Sequence, residues 1–148
     1  MCEDGRYRCP IGVCVLVTRD DGALLLVERL GTAYADGKLC VPGGHLEQDE
    51  SLVGAAAREV WEEVGVLVEH PDLQFVHVAH QRDSDRQERL IFFFKALRWS
   101  GEPYNREPER CNGLYWARPG ELPPTAIDYV ADAITLASEG QALSMYGW

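Results

Sequence analysis

Residues 44–66, GHLEQDESLVGAAAREVWEEVGV, constrain this chain more than any other stretch. At 100° per residue, Val53, Ala56, Ala57, Val60 and Val64 gather into one apolar stripe, as a helix packed against another layer requires. Asp49 or Ser51 suits the start of a helix over 51–64, the alanines at 55–57 favour its interior, and Gly65 suits the position just past its end. Glu59, Glu62 and Glu63 lie beside the stripe within an arc of about 100°. Carboxylates spaced i, i+3 and i+4 repel one another unless a cation joins them, and Mg²⁺ is held by a few such oxygen ligands together with substrate phosphates. Arg58 stands one turn before Glu62 and is placed to orient it through an i,i+4 pair.

The flanking sequence reads as strands around that helix. The β-branched run at 9–18 (CPIGVCVLVT), the turn signal Asp20-Asp21-Gly22 and the run at 23–28 (ALLLVE) predict a hairpin. A loop at 29–37 and a short strand at 38–41 precede Pro42-Gly43-Gly44, which predicts a turn. Strands follow at 73–80 and 90–99, separated by a charged loop at 81–89, and LIFFFKALRW is too aromatic for anything but a central strand. After a proline-bearing loop at 100–110 and a strand at 114–117, Pro123-Pro124-Thr125 opens a second helix that Gly140 ends. This order predicts an α/β sandwich with a mixed β-sheet between helices. Its 148 residues are expected to form one domain, with the core at about 9–138.

A formal charge of −10 excludes a duplex-binding protein, whose surface must be basic, yet permits a small phosphorylated ligand once a metal neutralises it. Most of the acidity is read as solubilising surface, with a handful of carboxylates left for the site. The five cysteines, at 2, 9, 14, 40 and 111, have no Cys-x-x-Cys spacing and are expected to be free thiols in a reducing cytosol, with Cys14 buried in a strand. No apolar run reaches the roughly 18 residues of a membrane span, and the N-terminus lacks the apolar segment of a signal peptide. A cytoplasmic protein without membrane contact is therefore expected.

Acidic helix faces are commonly just solvated. The full pattern G-x5-E-x7-R-E-U-x-E-E-x-G-U, with U a bulky aliphatic residue, is far more selective. Gly44, Glu50, Arg58, Glu59, Val60, Glu62, Glu63, Gly65 and Val66 match every position. At about 7% usage per fixed residue, chance would produce this on the order of once in ten million such chains. The pattern is the Nudix box, and the sequence resembles the Nudix hydrolases, specifically the small nucleoside-triphosphate pyrophosphohydrolases. The resemblance covers about residues 11 to 137, and its most specific part is the box itself.

That resemblance implies Mg²⁺- or Mn²⁺-dependent hydrolysis of a nucleoside diphosphate linked to another group, by water attack on phosphorus. It implies that Glu59, Glu62 and Glu63 are metal carboxylates, that Gly44 contributes its carbonyl, and that Arg58 steers the glutamates; which glutamate is the general base varies within the family, and Glu59 is the first candidate. Glu50 is implied to anchor the loop to the helix, and Glu107 to add a further carboxylate to the metal site. Arg29 is implied to face the phosphates, with Gly43 and Gly44 also on the substrate side; His45, which follows the glycines, is placed either to reach a phosphate or to face solvent. A nucleotide partner and a homodimer are implied as well.

The resemblance does not extend to selectivity for oxidised guanine. Bacterial-type enzymes with that role read the base with an asparagine after the paired prolines, where this chain has Thr125, Ala126 and Ile127. Hydrolysis of a nucleoside triphosphate or modified nucleotide to monophosphate and pyrophosphate is the leading expectation. A nucleotide sugar or dinucleotide is the alternative substrate, and a catalytically silent nucleotide sensor the alternative class, which the intact glutamates disfavour. His77 and His80, three apart on a strand, point to opposite faces and make no metal pair. Tyr104, Trp116 and Phe75 are read as core or rim before base-stacking platforms.

Overall fold

The computed structural model describes residues 4–31 and 35–148. Cys2, and part of the loop expected at 29–37, lie outside the described residues. The strands are β1 (Ile11–Leu16), β2 (Leu24–Arg29), β3 (Leu39–Cys40), β4 (Gly43–His45), β5 (Leu73–Arg82), β6 (Glu88–Ala96), β7 (Cys111–Ala117) and β8 (Leu143–Tyr146), with helices α1 (Leu52–Val64) and α2 (Asp128–Ser138). A five-stranded sheet runs β4-β1-β6-β5-β8, and a three-stranded sheet runs β3-β2-β7. The larger sheet is mixed: β1 is parallel to β6 and β5 to β8, whereas β1–β4 and β5–β6 are antiparallel. Helix α1 packs on β1 and β4, and α2 on β5 and β8, which gives the expected α/β sandwich.

The expected hairpin at 9–28 is corrected. Its turn forms, with Gly22 N–H donating to Arg19 O at 2.9 Å, and Thr18 still bridges Leu24. Beyond that bridge β1 and β2 part into different sheets. Val13, Cys14 and Val15 are all buried, as are Leu24, Leu25 and Leu26. A strand apolar on both faces needs covering layers on both sides, and strands of this kind sit inside a protein with neighbours along both edges. β6 occupies the middle of the larger sheet, as its aromatic sequence requires, with Phe93 and Phe94 buried on its two faces.

Helix α1 starts at Ser51, whose Oγ accepts from Gly54 N–H at 2.9 Å, a cap worth about 1 kcal/mol. It ends at Gly65, whose φ of 70° suits glycine and lets its N–H donate to Trp61 O. Ala56, Val60 and Val64 are buried as the stripe predicts. Ala55 is buried as well, while Val53 and Ala57 are only half covered. Trp61 is exposed, its ring beneath the Arg106 guanidinium at 4.5 Å, so it does not pack into the core.

Three further expectations shift. Gly43 and Gly44 lie in a strand paired with β1, not in a turn. The charged loop expected at 81–89 shortens to 83–87: β5 runs through Arg82, β6 starts at Glu88, and Gln81 is buried. α2 begins at Asp128, because residues 125–127 first pair with β3 through Leu39 N–H to Thr125 O and Ile127 N–H to Leu39 O, both 2.9 Å. The C-terminal tail becomes β8, held to β5 by buried His77, which is within 2.7 Å of Gln141 O and 2.8 Å of Ser144 Oγ.

Candidate functional site

One cavity of about 420 Å³ lies where β1, β4, α1, β7 and the first turn of α2 meet. The structure brings all nine sequence-predicted site residues to its lining: Arg29, Gly43, Gly44, His45, Arg58, Glu59, Glu62, Glu63 and Glu107.

The close approach of β4 to α1 depends on two missing side chains. A Cβ at Gly44 would overlap the Glu59 carboxyl, and one at Gly43 would overlap Val13 O and touch Cys14 Sγ at 3.0 Å. Gly43 N–H donates to Glu63 Oε2 at 3.1 Å, so the strand backbone itself holds a helix carboxylate. Arg58 ties the remaining parts together. Its Nε and Nη2 grip Glu50 at 2.6 and 2.9 Å, its Nη1 bridges Glu59 and Glu62 at 2.9 and 3.2 Å, and Nη2 also donates to His45 O. The i,i+4 contact read from sequence is therefore present, but the two-point grip on Glu50 is the tighter one.

Charge and burial oppose each other here. Burial pushes the Glu63 carboxyl well above its ordinary range; the Gly43 N–H works against this, and Glu59 nearby adds to it. Burial also raises Glu59, although Arg58 pulls in the other direction. Glu50 moves the opposite way, held down to about 2 by its hydrogen bonds from Arg58.

The donor set fits a hard divalent cation. Several carboxylates and a strand carbonyl surround the cavity, and two of the carboxylates are pushed toward protonation by burial and mutual repulsion, both of which a cation would offset. As the side chains lie, no three His, Cys, Asp or Glu among the described residues stand close enough to hold a metal ion, and Arg58 Nη1 lies between Glu59 and Glu62. Glu107 reaches the cavity on a turn in which its carbonyl accepts from Arg110 and Cys111 N–H, both at 2.8 Å.

The cavity also has lining that the sequence reading did not single out. Cys14, Cys40 and Cys111 line it, as do Arg89 and Ile91 of β6 and Tyr129 of α2. No sequence spacing relates these positions; only the β1–β6 register (Gly12 opposite Ile91) and the approach of α2 join them. Tyr104, Trp116 and Phe75 are not part of the lining. Phe75 sits among Phe92 and Phe94, and Trp116 beneath Arg19 at 4.6 Å. His80 contacts Glu88 and not a metal set with His77.

The family model for the NUDIX domain matches residues 9–136. The 8-oxo-dGTP diphosphatase of Escherichia coli K12 is 30% identical over 118 residues, covering 78% of this chain and 89% of that protein. Phosphatase NudJ of the same strain is 48% identical over 78 residues, 53% of this chain and 48% of its own length, so the match spans about half of that relative. The crystal structure of a MutT NUDIX hydrolase from Burkholderia pseudomallei superposes with a TM-score of 0.79 at 27% identity, over 87% of this chain and 98% of that one.

Proposed function

The chain belongs to the Nudix hydrolase family, and from that premise we propose that it hydrolyses a nucleoside triphosphate or modified nucleotide to monophosphate and pyrophosphate. The observation that carries this reading is the meeting of Glu59, Glu62, Glu63 and Glu107 with Arg29 around one cavity. A phosphate chain needs both a carboxylate-held cation and a positively charged side chain. The likeness to an 8-oxo-dGTP diphosphatase over 78% of this chain and 89% of that protein supports this substrate class over a nucleotide sugar or dinucleotide.

In this proposal Glu59, Glu62, Glu63 and Glu107, with the Gly44 carbonyl, would hold Mg²⁺ or Mn²⁺. The ion when bound supplies charge to neutralise the phosphates and Lewis acidity to activate water. Glu59 takes the proton as the water oxygen bonds to an inner phosphorus, and the bond from that phosphorus to the leaving phosphate oxygen breaks. Arg58 keeps Glu59 and Glu62 oriented while itself fixed by Glu50, so the base does not wander from the nucleophile. Arg29, with the backbone of Gly43 and Gly44 and the exposed His45, lines the substrate side.

Incubation with a panel of nucleoside triphosphates, nucleotide sugars and dinucleotides plus Mg²⁺, with chromatography of the products, tests the reading. Pyrophosphate and monophosphate from triphosphates are expected. Turnover confined to nucleotide sugars or dinucleotides would replace the substrate class, and no turnover of any compound would favour a sensing role.

A further inference from the structure

The loop that carries Glu107 is bonded to the C-terminal end of α1. The last four carbonyls of a helix lack the partners that the helix gives its other residues. Here Tyr104 N–H donates to Val64 O at 3.0 Å, and Arg106 N–H donates to Glu63 O at 3.1 Å. The Arg106 side chain adds a third bond, Nη1 to Trp61 O at 2.8 Å, and its guanidinium lies 4.5 Å from the centre of the Trp61 ring. The last turn of α1 has no basic residue of its own, so Arg106 supplies the positive charge that a helix end favours. Gly65 completes the join, because a Cβ there would overlap the Tyr104 ring.

The loop is also braced within itself. Asn105 Nδ2 donates to Cys111 O at 2.7 Å, and Asn105 Oδ1 accepts from Glu107 N–H at 3.1 Å. Stiff inside and pinned outside, it fixes Glu107 relative to α1. Glu63 takes part on both sides: its carbonyl holds Arg106 while its carboxylate accepts from Gly43 N–H. Glu107 follows Arg106 directly in the chain. We propose that Arg106, clamped over Trp61, is a positioning residue that sets Glu107 against Glu59, Glu62 and Glu63 and thereby fixes the site's affinity for its divalent cation. The inference rests on the proposed metal site and extends it to two residues outside the cavity lining, one of them at the position that the box pattern leaves open between Val60 and Glu62.

Charge and position make opposite predictions here. Arg106 is positive, so if it acted through its field alone, its removal would tighten the binding of a cation nearby. If it positions Glu107, its removal frees a ligand and weakens the cation, as the loss of an outer partner does by about 10–100-fold. If it only caps α1, its removal lowers the melting temperature and leaves cation affinity where it was.

The test titrates Mn²⁺ into the full chain without nucleotide, following free Mn²⁺ by electron paramagnetic resonance, and measures hydrogen exchange of the amides at 104–111 by mass spectrometry. Arg106→Ala and Trp61→Ala should each weaken Mn²⁺ binding about ten-fold and speed exchange in that loop. Arg106→Lys, which keeps a donor and a charge over the ring, should recover part of the affinity. In a Glu107→Gln background Arg106→Ala should weaken Mn²⁺ no further, because the ligand it positions is already gone. Arg98→Ala removes another exposed positive charge, one that lines no part of the cavity, and should match wild type. The proposal is overturned if Arg106→Ala tightens Mn²⁺ binding or leaves it unchanged, if exchange at 104–111 does not change, or if the loss keeps its full size without Glu107. Were wild type to bind no Mn²⁺, the metal site would fail and the proposal with it, and exchange at 104–111 would distinguish that outcome from a loop that was never clamped.

Discussion

The cavity has two walls of different origin. One is built from β4 and α1, a single contiguous stretch ending at Glu63, and carries carboxylates, a glycine backbone and Arg58. The other is assembled from Pro10 and Gly12 of the β1 region, Arg89 and Ile91 of β6, and Tyr129 of α2, positions scattered over some 120 residues of sequence. The first wall repeats a fixed spacing because one helix must hold several charges in one geometry. The second needs only a shape and a few polar contacts, which many side-chain combinations satisfy. Turnover should therefore be lost at the first wall and substrate affinity at the second.

The sharpest way to break that division is Glu59→Gln. It removes the proposed proton acceptor while keeping the side chain's shape, and kcat should fall by about 10²–10⁴-fold. Glu63→Gln should lose turnover comparably, yet leave the melting temperature in metal-free buffer unchanged or raised, because burial disfavours that carboxylate's charged form. Steady-state kinetics and thermal melts check both. Turnover near wild type in either variant would remove the carboxylate wall from the chemistry.

Next in size is Gly44→Ala. Its Cβ would overlap the Glu59 carboxyl and push it away without changing any charge. A displacement of that kind should lower kcat on the order of a hundred-fold, and a helical circular-dichroism spectrum like the wild type would show that the fold is kept. Arg89→Ala tests the second wall: KM should rise about ten-fold with kcat nearly constant, as when uniform binding is removed. A kcat loss without a KM change would erase the distinction between the walls.

The same division explains what the sequence revealed. α1, its Ser51 cap, its Gly65 end and the carboxylate wall depend on contacts within a few residues, so residue spacing alone exposes them. The parting of β1 and β2 into two sheets, the strand formed by Gly43 and Gly44, and the pairing of β8 with β5 depend on neighbours distant in sequence. The turn signal Asp20-Asp21-Gly22 does form a turn, with Gly22 N–H donating to Arg19 O, but a turn does not dictate how far the pairing beyond it extends. Cys14 and Cys40 illustrate the limit: nothing in their 26-residue separation says that both line one cavity.

The smallest effect concerns how the first wall is held rather than what it does. Glu50 is lowered from an ordinary value near 4.5 to about 2 because Arg58 hydrogen-bonds its charged form. A carboxyl lowered by folding contributes stability that is fully present above its unfolded value and lost as pH falls through the folded one. Wild type should therefore exceed Glu50→Gln in stability at neutral pH, with the margin narrowing from about pH 4.5 down toward pH 2. Urea unfolding of both proteins at stepped pH measures the margin. A margin constant across that window would mean that Glu50 acts through packing alone. A margin that narrows, while Glu50→Gln also lowers kcat several-fold, would tie the orientation of Glu59 and Glu62 to an ion pair outside the chemistry.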